Sequence, residues 1–268
     1  MKFLIALAKN EVITVRDYLC GLNKGAAPTS NILSRTIVLM DATGSMSHLL
    51  QKAKTTVAMM FSRAKEILKE KGLNPDCFEI QFAVYRNYSS GKDLILVSSP
   101  WESNPNNLKA FMDNTRVEGG MGAEAIEIGL WHANQEAVIS PITQVILIGD
   151  APANSQKEVI SRRGVFFGEN YWSNTKFKAQ AFYQTEVQQL NSKNIKIHSF
   201  YVASYAKLCF EEIAKSTGGN SFFLDVNDPI KGSALLTDSV TIEILKDVGK
   251  DSGKGDELVK AYQAKVWT

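Results

Sequence analysis

Asp41-Ala42-Thr43-Gly44-Ser45-Met46 sets three oxygen-bearing side chains at alternate positions. Alternate residues of an extended loop face the same way. The Asp41 carboxylate and the Thr43 and Ser45 hydroxyls therefore converge on one point, and a helix starting just after them adds positive partial charge. Such oxygens suit a hard divalent cation, Mg2+ above all, with positions left for water or a partner's carboxylate. The same residues also suit a strand that ends in a turn and a helix N-cap, and this segment alone leaves both readings open. A second carboxylate, Asp150, likewise follows an apolar run, Gln144 to Ile148.

These residues are positioned by a regular alternation of elements. Arg35 to Met40 is a short continuous apolar run of the buried parallel-strand kind. From Met46 to Lys71 apolar residues recur at helical spacing and stop at Gly72. Phe78 to Tyr85 and Asp93 to Ser98 read as an antiparallel pair at a sheet edge, followed by a helix from Pro105 to Asn114 and another from Ala123 to Ala137. After the strand at Gln144 come a helix from Phe177 to Asn191, a strand from Ile195 to Val202, a helix from Tyr205 to Ser216 and a strand from Ser221 to Val226. Ser233 to Val248 reads as a further helix, and Lys250 to Asp256 as a hinge before a short one. The pattern predicts an α/β fold, doubly wound, with a mostly parallel sheet, an antiparallel edge strand and helices on both faces. In such sheets ligands bind beyond the carboxyl ends of the strands where strand order reverses, so Asp41 and Asp150 face one site if their strands are neighbours there. The expected organisation is an N-terminal extension and linker over 1–34, one domain over 35–230 and a C-terminal helical extension over 231–268.

Composition narrows the function. Lys and Arg total 30 against 28 Asp and Glu, a formal charge of +2, which gives no overall pull toward nucleic acid or a membrane surface. The three cysteines, Cys20, Cys77 and Cys209, lack zinc-ligand spacing and fit a reducing compartment. Met1 to Ala8 is too short and wrongly flanked for a secretory leader, and no apolar stretch reaches the ~20 residues that span a bilayer. A cytoplasmic protein is expected, with neither nucleic acid nor membrane as its partner. No Gly-x-x-x-x-Gly-Lys-Ser/Thr loop, His-Glu-x-x-His pair or Gly-x-Ser-x-Gly elbow supports nucleotide hydrolysis, zinc proteolysis or α/β-hydrolase chemistry.

Taken together, Asp41-Ala42-Thr43-Gly44-Ser45, the strand-closing Asp150-Ala151-Pro152, Phe82 to Tyr88 and the Thr217-Gly218-Gly219 turn resemble a von Willebrand factor A domain with a metal-ion-dependent adhesion site. The Tyr85-Arg86 and Asp150-Ala151-Pro152 stretches look most like the branch that includes alpha-kinase-type and hemicentin-type A domains, over about residues 35 to 226. The resemblance implies a Rossmann-like fold and a non-catalytic module. In it Thr43 and Ser45 touch Mg2+ (or Mn2+ or Ca2+), Asp41 and Asp150 hold the ion through water, and a partner protein completes the shell with an Asp or Glu. The family's middle motif supplies one more oxygen, where this chain reads Glu118-Gly119-Gly120-Met121-Gly122-Ala123-Glu124. Aligning the glutamates puts Met121 at the ligand position, and a thioether is a poor partner for Mg2+. A weak site is expected, with Glu124 or water filling in.

The long connection from Ala151 to Lys176 carries a capping-box sequence at Ser155, a helix stop at Gly164 and a cluster of aromatic rings near two arginines. Arg162, Arg163, Tyr171 and Trp172, with Met121, are the expected partner-contacting residues. Two other readings stay open. One is a Mg2+-dependent phosphatase of the haloacid dehalogenase type with Asp41 as nucleophile, although Thr43 cannot supply that chemistry's general acid. The other is a metal-free interaction scaffold.

Overall fold

The computed structural model describes residues 32–120, 122–225 and 228–265, with side chains of 48–55 and 229–230 left aside. The chain runs β1 (Ser34–Asp41), α1 (Ser47–Glu70), β2 (Phe78–Tyr85), α2 (Gly91–Leu94), β3 (Leu96–Ser98), α3 (Pro105–Asn114), α4 (Ile126–Ile139) and β4 (Gln144–Gly149). It continues through α5 (Gln156–Val165), α6 (Glu169–Ser173), α7 (Tyr183–Ser192), β5 (Lys196–Tyr201), α8 (Lys207–Ser216), β6 (Ser221–Phe223), α9 (Pro229–Lys250) and α10 (Gly255–Gln263). The six strands form one sheet in the order β3-β2-β1-β4-β5-β6. Every pairing is parallel except that of β2 with the edge strand β3. The fold is therefore the doubly wound α/β architecture expected.

Apolar runs without polar alternation become central strands here because both sheet faces are covered. On β1, Val38 and Met40 point into one core with Phe82, Val84, Ile146, Ile148 and Phe200, closed by α1 and α9 through residues such as Phe61, Ile67, Val240 and Ile244. Ile37 and Leu39 point into the other with Tyr85, Val145 and Leu147, closed by α4, α7 and α8 through Ile126, Leu130, Leu190 and Phe210. Both C-terminal helices pack into the first core: Leu236, Leu245 and Val248 of α9 are buried there with Leu258 and Tyr262 of α10. The expected N-terminal extension lies outside the described residues up to position 31. No helix among the described residues is long and apolar enough to cross a membrane.

Several boundaries differ from the sequence reading. The helix expected from Phe177 begins at Tyr183, because the Arg163 guanidinium takes the carbonyls of Phe177 and Lys178 and the Phe177 ring packs on Trp131 with centroids 5.1 Å apart. Gly164 does not stop α5, which runs on to Val165. The chain leaves the helix at Phe166, which is extended, and turns away at Phe167, whose φ of 71° no right-handed helix accommodates. Asp93 and Leu94 form a helical turn instead of opening β3, since the Arg86 backbone N–H and guanidinium bond the carbonyls of Ile95 and Leu94. The strand expected to reach Val226 ends at Phe223, and Val226 itself is outside the described residues.

Candidate functional site

β1 and β4 are neighbours at the centre of the sheet, and strand order reverses between them. Asp41 closes β1 and Asp150 follows β4 by one residue, so both carboxylates stand at the crevice where open α/β sheets take their ligands. Glycine at position 149 leaves room for the side chains that pack at this crevice. A methyl group there would lie 2.6 Å from the Tyr85 hydroxyl and 3.5 Å from Asp41 Cβ, and that hydroxyl donates to the Ile148 carbonyl at 3.2 Å.

Beyond Asp41 the chain makes a single 3-10 turn, Gly44–Met46, before α1. The Thr43 N–H donates to Asp41 Oδ1 at 2.7 Å, while Oδ2 is buried with no hydrogen-bond partner among the described residues. The Thr43 and Ser45 hydroxyls are 3.3 Å apart, Thr43 buried and Ser45 exposed. The turn therefore presents its oxygens as a cup open to solvent on the Ser45 side.

A glycine-rich loop forms the second wall. Gly44 N–H donates to Gly119 O at 3.1 Å and Glu118 N–H to Ala42 O at 3.0 Å. Gly120, at φ 119°, passes so close that an added methyl would come within 3.4 Å of Thr43 Cβ and 3.6 Å of Glu124 Oε1. Glu124 is then tied to the segment after Asp150, its N–H donating to Pro152 O at 2.9 Å and its carbonyl accepting from Asn154 N–H at 3.2 Å. Met121 lies outside the described residues.

Asp41, Glu124 and Asp150 are within electrostatic reach of one another. Burial, reinforced by the charge of Glu124 and more weakly by Asp150, raises the Asp41 carboxyl well above its ordinary range despite the Thr43 hydrogen bonds. Burial and the same three charges raise Tyr85. Among the described residues no three His, Cys, Asp or Glu side chains group as ligands of one ion, so the hydroxyls of Thr43 and Ser45 must complete any donor set. The residues present fit a hard dication on that condition: an orphaned buried carboxylate oxygen, two hydroxyls and repelling carboxylates are what such an ion would neutralise.

Three residues at the site were given no role in the sequence reading. Arg86 is buried and bonds the carbonyls of Leu94 and Arg116, while Asn87 Nδ2 donates to Ala123 O at 2.7 Å. Together they pin both ends of the glycine-rich loop. An arginine directly after a buried strand is the signal that could have flagged this role. Tyr205 is 63% exposed, yet burial and then the charges of Asp150, Asp41 and Glu124 raise its hydroxyl pKa, which puts it on the rim.

The expected partner-contacting residues fare unevenly. Arg163 and Trp172 are fully buried and have no surface to offer. Arg163 forks onto Glu169 at 2.8 and 2.6 Å and lies over the Trp172 ring, whose Nε1–H donates to Phe166 O. Arg162 reaches back to the Ala123 carbonyl at 2.9 Å. The half-buried Tyr171 accepts from Lys92 N–H through its hydroxyl and stacks on Phe167 at 4.7 Å. The cluster is an internal clamp, because an arginine among rings gains most where its hydrogen bonds are also met, and Phe167 is its exposed member at 56%.

No family model matches the chain, and no curated protein matches it. Among solved structures, the pilus adhesin SpaC from Lactobacillus rhamnosus GG in its open conformation is similar with a TM-score of 0.52 and 16% identity, over 82% of this chain and 31% of that one. Proximal thread matrix protein 1 of the mussel byssus gives a TM-score of 0.48 and 15% identity, over 78% of this chain and 46% of that one. The chain thus spans less than half the length of either structure, and the likeness to SpaC shows the α/β fold alone.

Proposed function

We propose that this is a von Willebrand factor A-type module that binds a partner protein through a hard divalent cation, without catalysis, in a reducing compartment such as the cytoplasm. The observation that carries the reading is Asp41 Oδ2, buried at the crevice between β1 and β4 with no hydrogen-bond partner among the described residues. A carboxylate so placed is costly unless a cation meets it.

Thr43, Ser45, Asp41 and Asp150 would hold the ion, with Glu124 beside them. The bound cation would supply a Lewis-acid position for a carboxylate oxygen of the partner. Asp41 fixes the turn by accepting the Thr43 N–H, which keeps both hydroxyls on one side. Arg86 and Asn87 hold the glycine-rich loop against the cup. Tyr205 gives the rim an aromatic flank for the residues around the partner's acid. Free Cys77 and Cys209 are compatible with a reducing environment.

A thermal-unfolding titration tests the reading, since a ion bound only by the folded state must raise Tm. Millimolar Mg2+ or Mn2+ is expected to raise Tm in the native chain and to leave Asp41→Asn unmoved. Turnover of a generic phosphate ester that vanishes in Asp41→Asn would overturn it in favour of a phosphatase. An unmoved Tm in the native chain would leave the metal-free scaffold.

A further inference from the structure

A run of neighbouring residues leads from the cup to an exposed aromatic ring. Gly44 of the cup and Gly119 of the glycine-rich loop are both exposed and joined by a hydrogen bond of 3.1 Å. A methyl group on Gly119 would meet the Ser89 and Ser90 hydroxyls at 3.6 and 3.7 Å. These half-buried serines close the 3-10 turn Tyr88–Ser90, and the next residue is Gly91. Gly91 is the seat of Phe167: a methyl group there would lie 3.4 Å from the Phe167 ring and 3.2 Å from the Tyr171 hydroxyl.

Phe167 is held in this place against its backbone preference. Its φ of 71° lies in the left-handed region, which a bulky side chain rarely enters. Tyr171 stacks on its ring at 4.7 Å and Trp172 meets it edge-on at 6.2 Å, while the Lys92 N–H fixes the Tyr171 hydroxyl. The ring is therefore positioned by its neighbours and still 56% exposed, so much of the gain from burying it is unrealised in the free chain. Backbone strain of this kind collects where ligands are clamped, and a ring already fixed loses little freedom when a partner covers it.

We propose that Phe167 is a second anchor for the partner that the cup binds. The segment recognised is an extended peptide carrying an Asp or Glu and, three to five residues away, a large apolar side chain. The acid reaches the cation, the peptide backbone crosses the Ser89 and Ser90 hydroxyls, and the apolar side chain covers Phe167. The acid end rests on the proposed function, whereas the apolar end rests on Phe167 alone.

Blocked glycine peptides with one Asp and one Leu, three to five residues apart and in either order, span about 10–17 Å when extended. Their affinities for the full chain in Mg2+, read by NMR of its backbone amides, are compared with those of the same peptides carrying Gly in place of Leu. The best Asp–Leu peptide should bind about tenfold tighter than its Leu-free match and shift the amides of Gly91 and Tyr171. In Phe167→Asn, whose new side chain tolerates a positive φ, the two peptides should bind alike. Equal affinities in the native chain would overturn the proposal, as would a Leu preference that survives Phe167→Asn or no saturable binding of any Asp–Leu peptide at millimolar concentration. Adding chelator reports on the cup separately: a Leu preference that persists while chelator changes nothing would keep Phe167 as an anchor and overturn the metal reading. The native-chain comparison of Leu with Gly decides the matter even where the variant fails to fold.

Discussion

The Asp41 carboxylate is closed off from water with one oxygen bonded and the other without a partner among the described residues. Asp41→Asn keeps the oxygen that accepts the Thr43 N–H and removes the charge. Without metal the variant should therefore unfold at or above the native temperature at pH 8, while its response to Mg2+ disappears. Differential scanning calorimetry with and without chelator separates these effects, and a variant much less stable in chelator would contradict them. In the proposed reading as an A-type module, Met121 stands where a further oxygen ligand would be expected. Met121→Asp is expected to lower the Mg2+ midpoint by about tenfold, the worth of one added charged ligand of order 1.4 kcal/mol, read from the same Tm titration. The convergence of Asp41 and Asp150 on one crevice was legible, on condition that their strands are neighbours, because both follow apolar strands in the sequence. Tyr205 was not, because its place on the rim depends on β5 pairing beside β4, a contact across more than fifty residues of chain.

Between elements, two buried polar groups hold the loops that flank the cup. Glu127 on α4 accepts from Asn154 Nδ2 at 2.9 Å, joining the helix to the segment after Asp150. Burial pushes its carboxyl up from 4.5 to about 8, against the hydrogen bonds it accepts. The folded state therefore holds a proton that the unfolded chain releases, so this contribution is whole below pH ~4.5 and is lost as pH rises through ~8. At ~1.4 kcal/mol per unit the loss is of the order of a few kcal/mol. Urea unfolding at pH 5 and pH 8 should show a fall in stability that Glu127→Gln reduces, and an identical slope in the variant would refute the assignment.

Arg163 is the second such group, joining α5 to α6 and to the Phe177 and Lys178 carbonyls. Arg163→Met leaves those carbonyls unmet and is expected to cost about 2–4 kcal/mol, with new proteolytic cuts between residues 166 and 182. Unchanged stability and an uncut loop would show that the clamp is dispensable. The capping box at Ser155 was readable because both of its partners lie within one helical turn. The burial of Arg163 was not, because its partners come from segments with no shared periodicity, and the same pairing delays the start of α7 to Tyr183.

At the scale of the molecule, apolar period decided the architecture: residues on alternate sides of each central strand feed two cores, one under α1, α9 and α10 and one under α4, α7 and α8. The strand order was not legible in the same way: alternation implies parallel strands, but that β1 and β4 are neighbours is seen only in the sheet itself. Also left open by the sequence was how firmly the last helix joins the whole. Leu258 is buried in the first core, and Tyr262 donates to Asp238, which also pairs with Arg63. Leu258→Ala should accordingly cost about 2–5 kcal/mol, as at any core position, and lower Tm by of the order of 10 °C. A change within a degree would mean that α10 is dispensable to the domain.

The central claim concerns one ion at one place. Crystals of the native chain grown in Mn2+ and measured at the manganese absorption edge locate that ion by its anomalous scattering. The prediction is a single strong peak beyond the ends of β1 and β4, at ~2.0–2.3 Å from the Thr43 and Ser45 hydroxyl oxygens. An ordered cup with no peak, or a peak lying only elsewhere on the molecule, would contradict it.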